Sequence, residues 1–283
     1  MNDDGPIGEA VSLLSGARAL VVAAGAGMGV DSGLPDFRGD EGFWRAYPAY
    51  RHLGLSFVDL ANPRWFSTDP DLAWGFYGHR LALYRRTVPH SGFARLREIA
   101  SRLRHGAFVL TSNVDGQFQR AGFDESRVVE CHGSIHHVQC TRECGRPLAS
   151  ADGLEIDVDP ATFRATSPLP RCACGALLRP AILMFGDGAW DDSRTSAQEL
   201  RLDAWLAGLD VAASELVVVE CGAGAHVPTV RAFSERLVRA TGGSLVRINA
   251  REPDVPRGPH VGLAMKARDA LEAIAEGLAR LGQ

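Results

Sequence analysis

The chain has 283 residues, a length that suits one large domain or one domain carrying a smaller insert. Hydrophobic residues make up 46% and charged residues 23%, an ordinary globular balance, and a net charge of −4 leaves no basic footprint for nucleic acid. The opening Met1-Asn2-Asp3-Asp4-Gly5 lacks the positive region of a secretory leader, and no run nears the roughly 18 apolar residues of a membrane helix. The expectation is a cytoplasmic protein without membrane or nucleic-acid partners.

Residues 7–16 pattern as a short amphipathic helix. Ala19–Ala24 is an apolar run of strand length that enters Gly25-Ala26-Gly27-Met28-Gly29 directly, as a doubly wound α/β domain begins. Further strands are expected at 107–111, 128–130, 215–220 and 244–249, with helices around 92–104, 197–209, 228–241 and 263–281. That alternation argues for a parallel sheet. Two stretches leave it. Residues 40–88 are rich in aromatics and read as helices with loops, and residues 133–182 hold two close cysteine pairs.

The fold expected is therefore α/β, a doubly wound, Rossmann-like parallel sheet with a smaller discontinuous domain that is helical plus zinc-binding. Residues 1–39, 89–132 and 183–283 would form the sheet domain; 40–88 and 133–182 would form the small one.

Of six cysteines, Cys140/Cys144 and Cys172/Cys174 pair closely, which in a reducing compartment reads as metal ligation rather than disulfides. Four thiolates make a closed tetrahedral structural Zn²⁺ site. His136 or His137 is the alternative ligand, both lying near Cys140. Cys131 and Cys221 read as small buried residues.

A glycine loop after a strand lets backbone N–H groups approach a pyrophosphate. Here the loop continues through Asp31-Ser32-Gly33-Leu34-Pro35 into Asp36-Phe37-Arg38-Gly39, and the whole string resembles the NAD-binding signature of the sirtuins, a family of deacylases. Similar to that family too are Thr111-Ser112-Asn113-Val114-Asp115, Cys131-His132-Gly133-Ser134, the cysteine pairs and Arg179–Asp187. Gly222-Ala223-Gly224 and Asn249 follow in the family's order, so the resemblance spans residues 20 to 275.

The resemblance implies an enzyme that consumes NAD to remove an acyl group from a protein or peptide lysine, releasing nicotinamide and O-acyl-ADP-ribose. It assigns the general base to His132, a group suited to that task near pH 7. Asn113 and Asp115 would order the ribose and the nicotinamide amide. Gly25, Ala26, Gly27, Asp36, Phe37, Arg38, Ser112, Gly222, Ala223, Gly224 and Asn249 would complete the cofactor site. Ile182, Leu183, Phe185 and Gly186 would hold the substrate.

Departures from the family's pattern bear on cofactor affinity and peptide grip. Ser112 stands for Gln, Ala223 and Gly224 for Thr and Ser, Gly29 for Ser, and Asp187 for Glu.

Tyr77 and Arg80, at i and i+3, share a helix face and resemble the pair with which desuccinylase-type sirtuins hold an acidic acyl chain. An arginine binds a carboxylate with two parallel bonds. Two other readings stay open: an ADP-ribosyltransferase or NAD hydrolase built on the same site, and a non-catalytic NAD sensor.

Overall fold

The computed structural model describes residues 5–35, 39–42 by backbone alone, and 43–282. Among the described residues nine strands run in chain order: β1 (Ala19–Ala24), β2 (Ala107–Thr111), β3 (Val128–Glu130), β4 (Gly133–Cys140), β5 (Ala149–Ser150), β6 (Leu178–Ile182), β7 (Leu216–Cys221), β8 (Ser244–Ile248) and β9 (His260–Leu263). Six form one sheet in the order β3-β2-β1-β7-β8-β9, and every pairing in it is parallel.

Parallel sheets need cover on both faces, and the strand residues divide accordingly. Leu20, Val22 and Ala24 of β1 and Val217 and Val219 of β7 join one apolar cluster. It also holds Val11 and Leu14 of helix Pro6–Ser15, Phe93 and Leu96 of helix Ser91–Ser101, and Leu271 and Ile274 of helix Ala267–Leu281. The alternate residues Ala19, Val21, Ala23, Leu216 and Val218 meet Leu202 of helix Ser193–Ala207 and Val230 and Val238 of helix Thr229–Thr241. Such burial is worth about 1.5–3 kcal/mol for each large aliphatic side chain.

A third apolar cluster lies apart from the sheet. Phe43, Tyr47, Tyr50, Trp74, Phe76 and Tyr77 pack with Ile135 and Val138 of β4 and Ile182 of β6. The aromatic stretch supplies the long helix Pro70–Arg86, capped by Asp69, whose side chain accepts from the Leu72 N–H at 3.3 Å. The second sheet is antiparallel, β5-β4-β6, and was not anticipated from the sequence.

Two corrections concern the C-terminal third. Residues 260–263 form an edge strand, so the last helix starts at Ala267 rather than at 263. Gly262 accounts for part of this: a Cβ there would lie 2.2 Å from the Pro253 carbonyl oxygen, so the strand lies close against the loop before it. Among the described residues no helix is long and apolar enough to cross a membrane.

Candidate active site

The chain runs from β1 outward to β2 and β3, then returns to β7 on the other side of β1. The C-terminal ends of β1 and β7 thus flank a topological switch point, where open α/β sheets bind ligands. Both ends carry glycine loops that lock together. The Gly25 N–H donates to the Cys221 carbonyl at 3.0 Å, and the Gly27 N–H to that of Gly222 at 3.0 Å. Gly222 sits at φ +63°, and a Cβ on it would lie 2.4 Å from the Gly27 carbonyl carbon. A Cβ on Gly25 would come within 2.8 Å of the Ala223 Cα. Only glycine fits either place. Ala26 is left exposed at the rim, with Gly27 and Gly224 half-buried.

The next strand end is tied to the first. Thr111 donates its hydroxyl to the Ala24 carbonyl at 2.9 Å, and the Ser112 N–H donates there too. The Asn113 side-chain amide donates to the Gly25 carbonyl at 3.0 Å, which fixes Asn113 against the glycine loop. Asp115 is buried and accepts from the Gln117 N–H at 2.9 Å. Burial pushes its carboxyl up to about 6; the Gln117 N–H and Arg80 oppose the rise, and Glu130 adds to it.

His132 lies two residues beyond the end of β3. The Cys131 N–H donates to the Thr111 carbonyl, and the His132 carbonyl accepts from the Leu183 N–H at 3.0 Å. Its ring Nε2 lies 3.3 Å from the Thr229 hydroxyl. Burial lowers its pKa, which favours the neutral ring at pH 7. Gly133, at φ +76°, lets β4 approach β6: a Cβ would stand 2.1 Å from the Ala181 carbonyl oxygen. Asn249 closes the far side, donating to the Ala223 carbonyl at 2.8 Å and accepting from the N–H groups of Arg251 and Glu252.

After β6 the chain exposes Leu183 and Phe185 on either side of buried Met184. The Phe185 N–H donates to the Ala61 carbonyl at 2.8 Å, and Gly186 turns at φ +70°. Asp187 anchors this segment from beneath. Its two oxygens accept from Arg179 Nη1 at 2.6 Å and Nη2 at 2.9 Å, and both side chains are buried. Aspartate at this position therefore has a structural partner of its own.

Tyr77 and Arg80 point from helix Pro70–Arg86 into the aromatic cluster, and both are buried. Arg80 donates to the Tyr84 hydroxyl, and its guanidinium lies 5.1 Å from the Phe76 ring and 5.6 Å from that of Tyr77. The Tyr77 hydroxyl has no hydrogen-bond partner among the described residues.

Away from this cleft, the sulfurs of Cys140, Cys144, Cys172 and Cys174 lie within 4.8 Å of one another. Cys140 and Cys174 are 3.5 Å apart, and Cys144 and Cys172 3.6 Å. Zn–S bonds of ~2.3 Å in a tetrahedron set S···S near ~3.8 Å, so the four fit Zn²⁺. The one-residue spacer works because Cys172 and Ala176 close a tight turn, with Gly175 at φ +84°. The Ala176 N–H pulls the Cys174 thiol down to about 7, while the Cys144 thiol of the same cluster is pushed up to about 11 and would have to lose its proton to bind a metal. His136 instead faces the Asp115 carbonyl, with its Nε2 at 3.0 Å.

Comparison with known proteins agrees with this geometry. The profile of the Sir2 family matches residues 25–206. The chain belongs to the Sir2 family. An NAD-dependent protein deacylase of Pyrococcus furiosus is 29% identical over 278 residues, which cover 98% of this chain and all of that one. The mitochondrial NAD-dependent protein deacylase sirtuin-5 of Danio rerio is 34% identical over 198 residues, 64% of this chain and 61% of its own length. A solved Sir2 homologue in complex with NAD superposes with a TM-score of 0.71 at 25% identity, covering 97% of this chain and 94% of the other.

In this Sir2-family chain, Asp36, Phe37 and Arg38 lie outside the described residues. The cofactor candidates Gly25, Ala26, Gly27, Ser112, Asn113, Gly222, Ala223, Gly224 and Asn249 all fall at the carboxyl ends of β1, β2, β7 and β8. Several features that hold the cleft together escaped the sequence reading: the side chains of Thr229, Tyr84 and His90, and the pairing of Arg179 with Asp187. His90 accepts from the Gly92 N–H through Nδ1, which leaves Nε2 to donate to the Met28 carbonyl at 3.0 Å and tether the glycine loop. Thr229, Tyr84 and His90 act through a contact distant in sequence or through a helix face, and none of the three belongs to a recognisable string.

Proposed function

We propose that this protein is an NAD-dependent protein lysine deacylase with His132 as its general base. The reading rests chiefly on one observation: Asn113, Asp115 and His132 flank the interlocked glycine loops at the switch point of the sheet. NAD, when bound there, supplies the ADP-ribose that accepts the acyl group as nicotinamide leaves.

The residues then have separate tasks. His132, kept neutral by burial and oriented by Thr229, takes a proton from a ribose hydroxyl on its ring. Asn113, pinned to the Gly25 carbonyl, orders the ribose. Asp115, buried and with a raised carboxyl pKa, would hold the nicotinamide amide. Leu183, Phe185 and Gly186 present the exposed edge that receives the acylated peptide, with Ile182 beneath it. Zinc, held by the four cysteines, braces the small module that carries β4 and β6.

The domain division belongs to the same proposal. Residues 1–39, 89–132 and 183–283 form the Rossmann-like body, 40–88 and 133–182 the smaller domain, and the cofactor and acyl-lysine meet between them. Separate apolar clusters for the sheet and for the aromatic stretch support that division, with Leu34, Val114 and Met184 of the body packing into the aromatic cluster where the two meet.

An acidic acyl group such as succinyl is the preferred substrate in this account. Tyr77 offers a buried hydroxyl that has no partner among the described residues, beside the guanidinium of Arg80. A buried donor of this kind gains by meeting an acceptor. The test is His132→Ala. It should keep NAD binding and lose about 10²–10⁴-fold in turnover of acyl peptide; unchanged turnover would remove His132 from the mechanism.

A further inference from the structure

We infer that His136 is a positioning residue for nicotinamide recognition, acting by holding the Asp115–Gly116 peptide so that the Asp115 carboxyl stays in the cleft. The inference deepens the reading above and rests on it, since there Asp115 holds the nicotinamide amide.

His136 lies on β4 of the antiparallel sheet, and its backbone is fixed there: its carbonyl accepts from the Ala151 N–H at 2.8 Å. From that base β4 grips the loop after β2 twice. The Ile135 N–H donates to the Val114 carbonyl at 3.0 Å, and His136 Nε2 lies 3.0 Å from the Asp115 carbonyl oxygen. A carbonyl can only accept, so Nε2 carries the hydrogen and donates it. The ring also covers Gly116, which turns at φ +69°; a Cβ there would lie 2.8 Å from His136 Nε2. Two successive carbonyls ahead of the turn are thus held from β4. The Asp115 carboxyl meets the Gln117 N–H within its own loop, at 2.9 Å.

The restraint opposes a real driving force. A buried carboxylate gains by turning out to water, and burial keeps that of Asp115 up at about 6. Glycine rotates at little steric cost, so the 115–116 peptide is the easiest hinge through which the side chain could leave. Held in place, Asp115 meets its ligand already oriented, and binding need not order it. Asn113 is pinned separately, by its bond to the Gly25 carbonyl. Loss of the His136 bond should therefore disturb the nicotinamide end of the cleft and spare the ribose end.

The experiment measures dissociation constants for NAD and for ADP-ribose, which lacks nicotinamide, by calorimetry without acyl peptide. The proteins are the natural chain, His136→Asn, His136→Leu and His136→Gln. The amide nitrogen of glutamine can stand where Nε2 stands, whereas that of asparagine reaches only the place of Nδ1. The asparagine and leucine variants should each weaken NAD about tenfold, the scale of one hydrogen bond in a buried site, and leave ADP-ribose unchanged. Glutamine should restore most of the NAD affinity. Equal losses for NAD and ADP-ribose would reduce His136 to a support of the fold and overturn the inference. So would unchanged NAD binding in the asparagine and leucine variants, or no recovery with glutamine. Because the readout is binding, the inference is decided even if the natural enzyme releases no lysine from an acyl peptide, the outcome that would refute deacylation.

Discussion

Asp115→Asn offers a quantitative test, because the carboxyl that serves the site strains the fold. Burial raises its pKa from 3.8 to about 6. At about 1.4 kcal/mol per unit, that rise of roughly two units makes the ionised form cost about 3 kcal/mol in the folded chain. Between pH 3.8 and about 6 the folded state binds the extra proton, so stability falls as pH rises through that window. Above it the full penalty stands; below it none does. Asparagine carries no charge, and its side-chain oxygen can still accept from the Gln117 N–H, as Asp115 does at 2.9 Å. The substitution should therefore raise thermal stability near pH 8 by about 3 kcal/mol, roughly 5–10 °C in Tm, and the gain should shrink below about 1 kcal/mol near pH 4. Turnover of acyl peptide should fall at the same time. Calorimetry of both proteins across this pH range is the assay. A stability gain independent of pH, or a loss at pH 8, would refute the reasoning.

Two further outcomes follow from buried contacts. Asp187→Ala strands Arg179, whose side chain is 3% exposed, and should cost about 3–5 kcal/mol in urea unfolding; a cost under about 1 kcal/mol would mean that solvent reaches the guanidinium. Metal analysis should find about one zinc per chain, and chelation should lower Tm through loss of the module around Cys140, Cys144, Cys172 and Cys174; an unchanged Tm after complete metal removal would make the cysteines dispensable for the fold.

Much of the parallel sheet was legible because its signals are local. Leu20-Val21-Val22 and Val217-Val218-Val219 are unbroken apolar runs, as strands covered on both faces must be. The antiparallel sheet was not legible. In β4, half-buried His136 and His137 interrupt the apolar pattern, and the register shifts between Ser134 and Val138. That irregularity erases the alternation by which a strand is read. β9 is four residues with a glycine and a histidine, and only pairing with β8 makes it a strand.

The site divides in the same way. Asn113, Asp115, His132 and the four cysteines stand in strings whose chemistry can be read directly. Thr229 reaches His132 across 97 residues of chain, and Gln198 reaches the Glu130 N–H across 68. No local pattern encodes such partners. Aspartate at 187 looked like a weakened feature in the sequence; its short side chain makes a two-bond pair with Arg179.

The most direct test of the central claim is mass spectrometry of the products formed from NAD and matched acetyl- and succinyl-lysine peptides. The account predicts nicotinamide, O-acyl-ADP-ribose and free lysine in equal amounts, with the succinyl peptide consumed faster. Nicotinamide released without any deacylated peptide would contradict it, and would identify the cleft as that of an ADP-ribosyltransferase or NAD hydrolase.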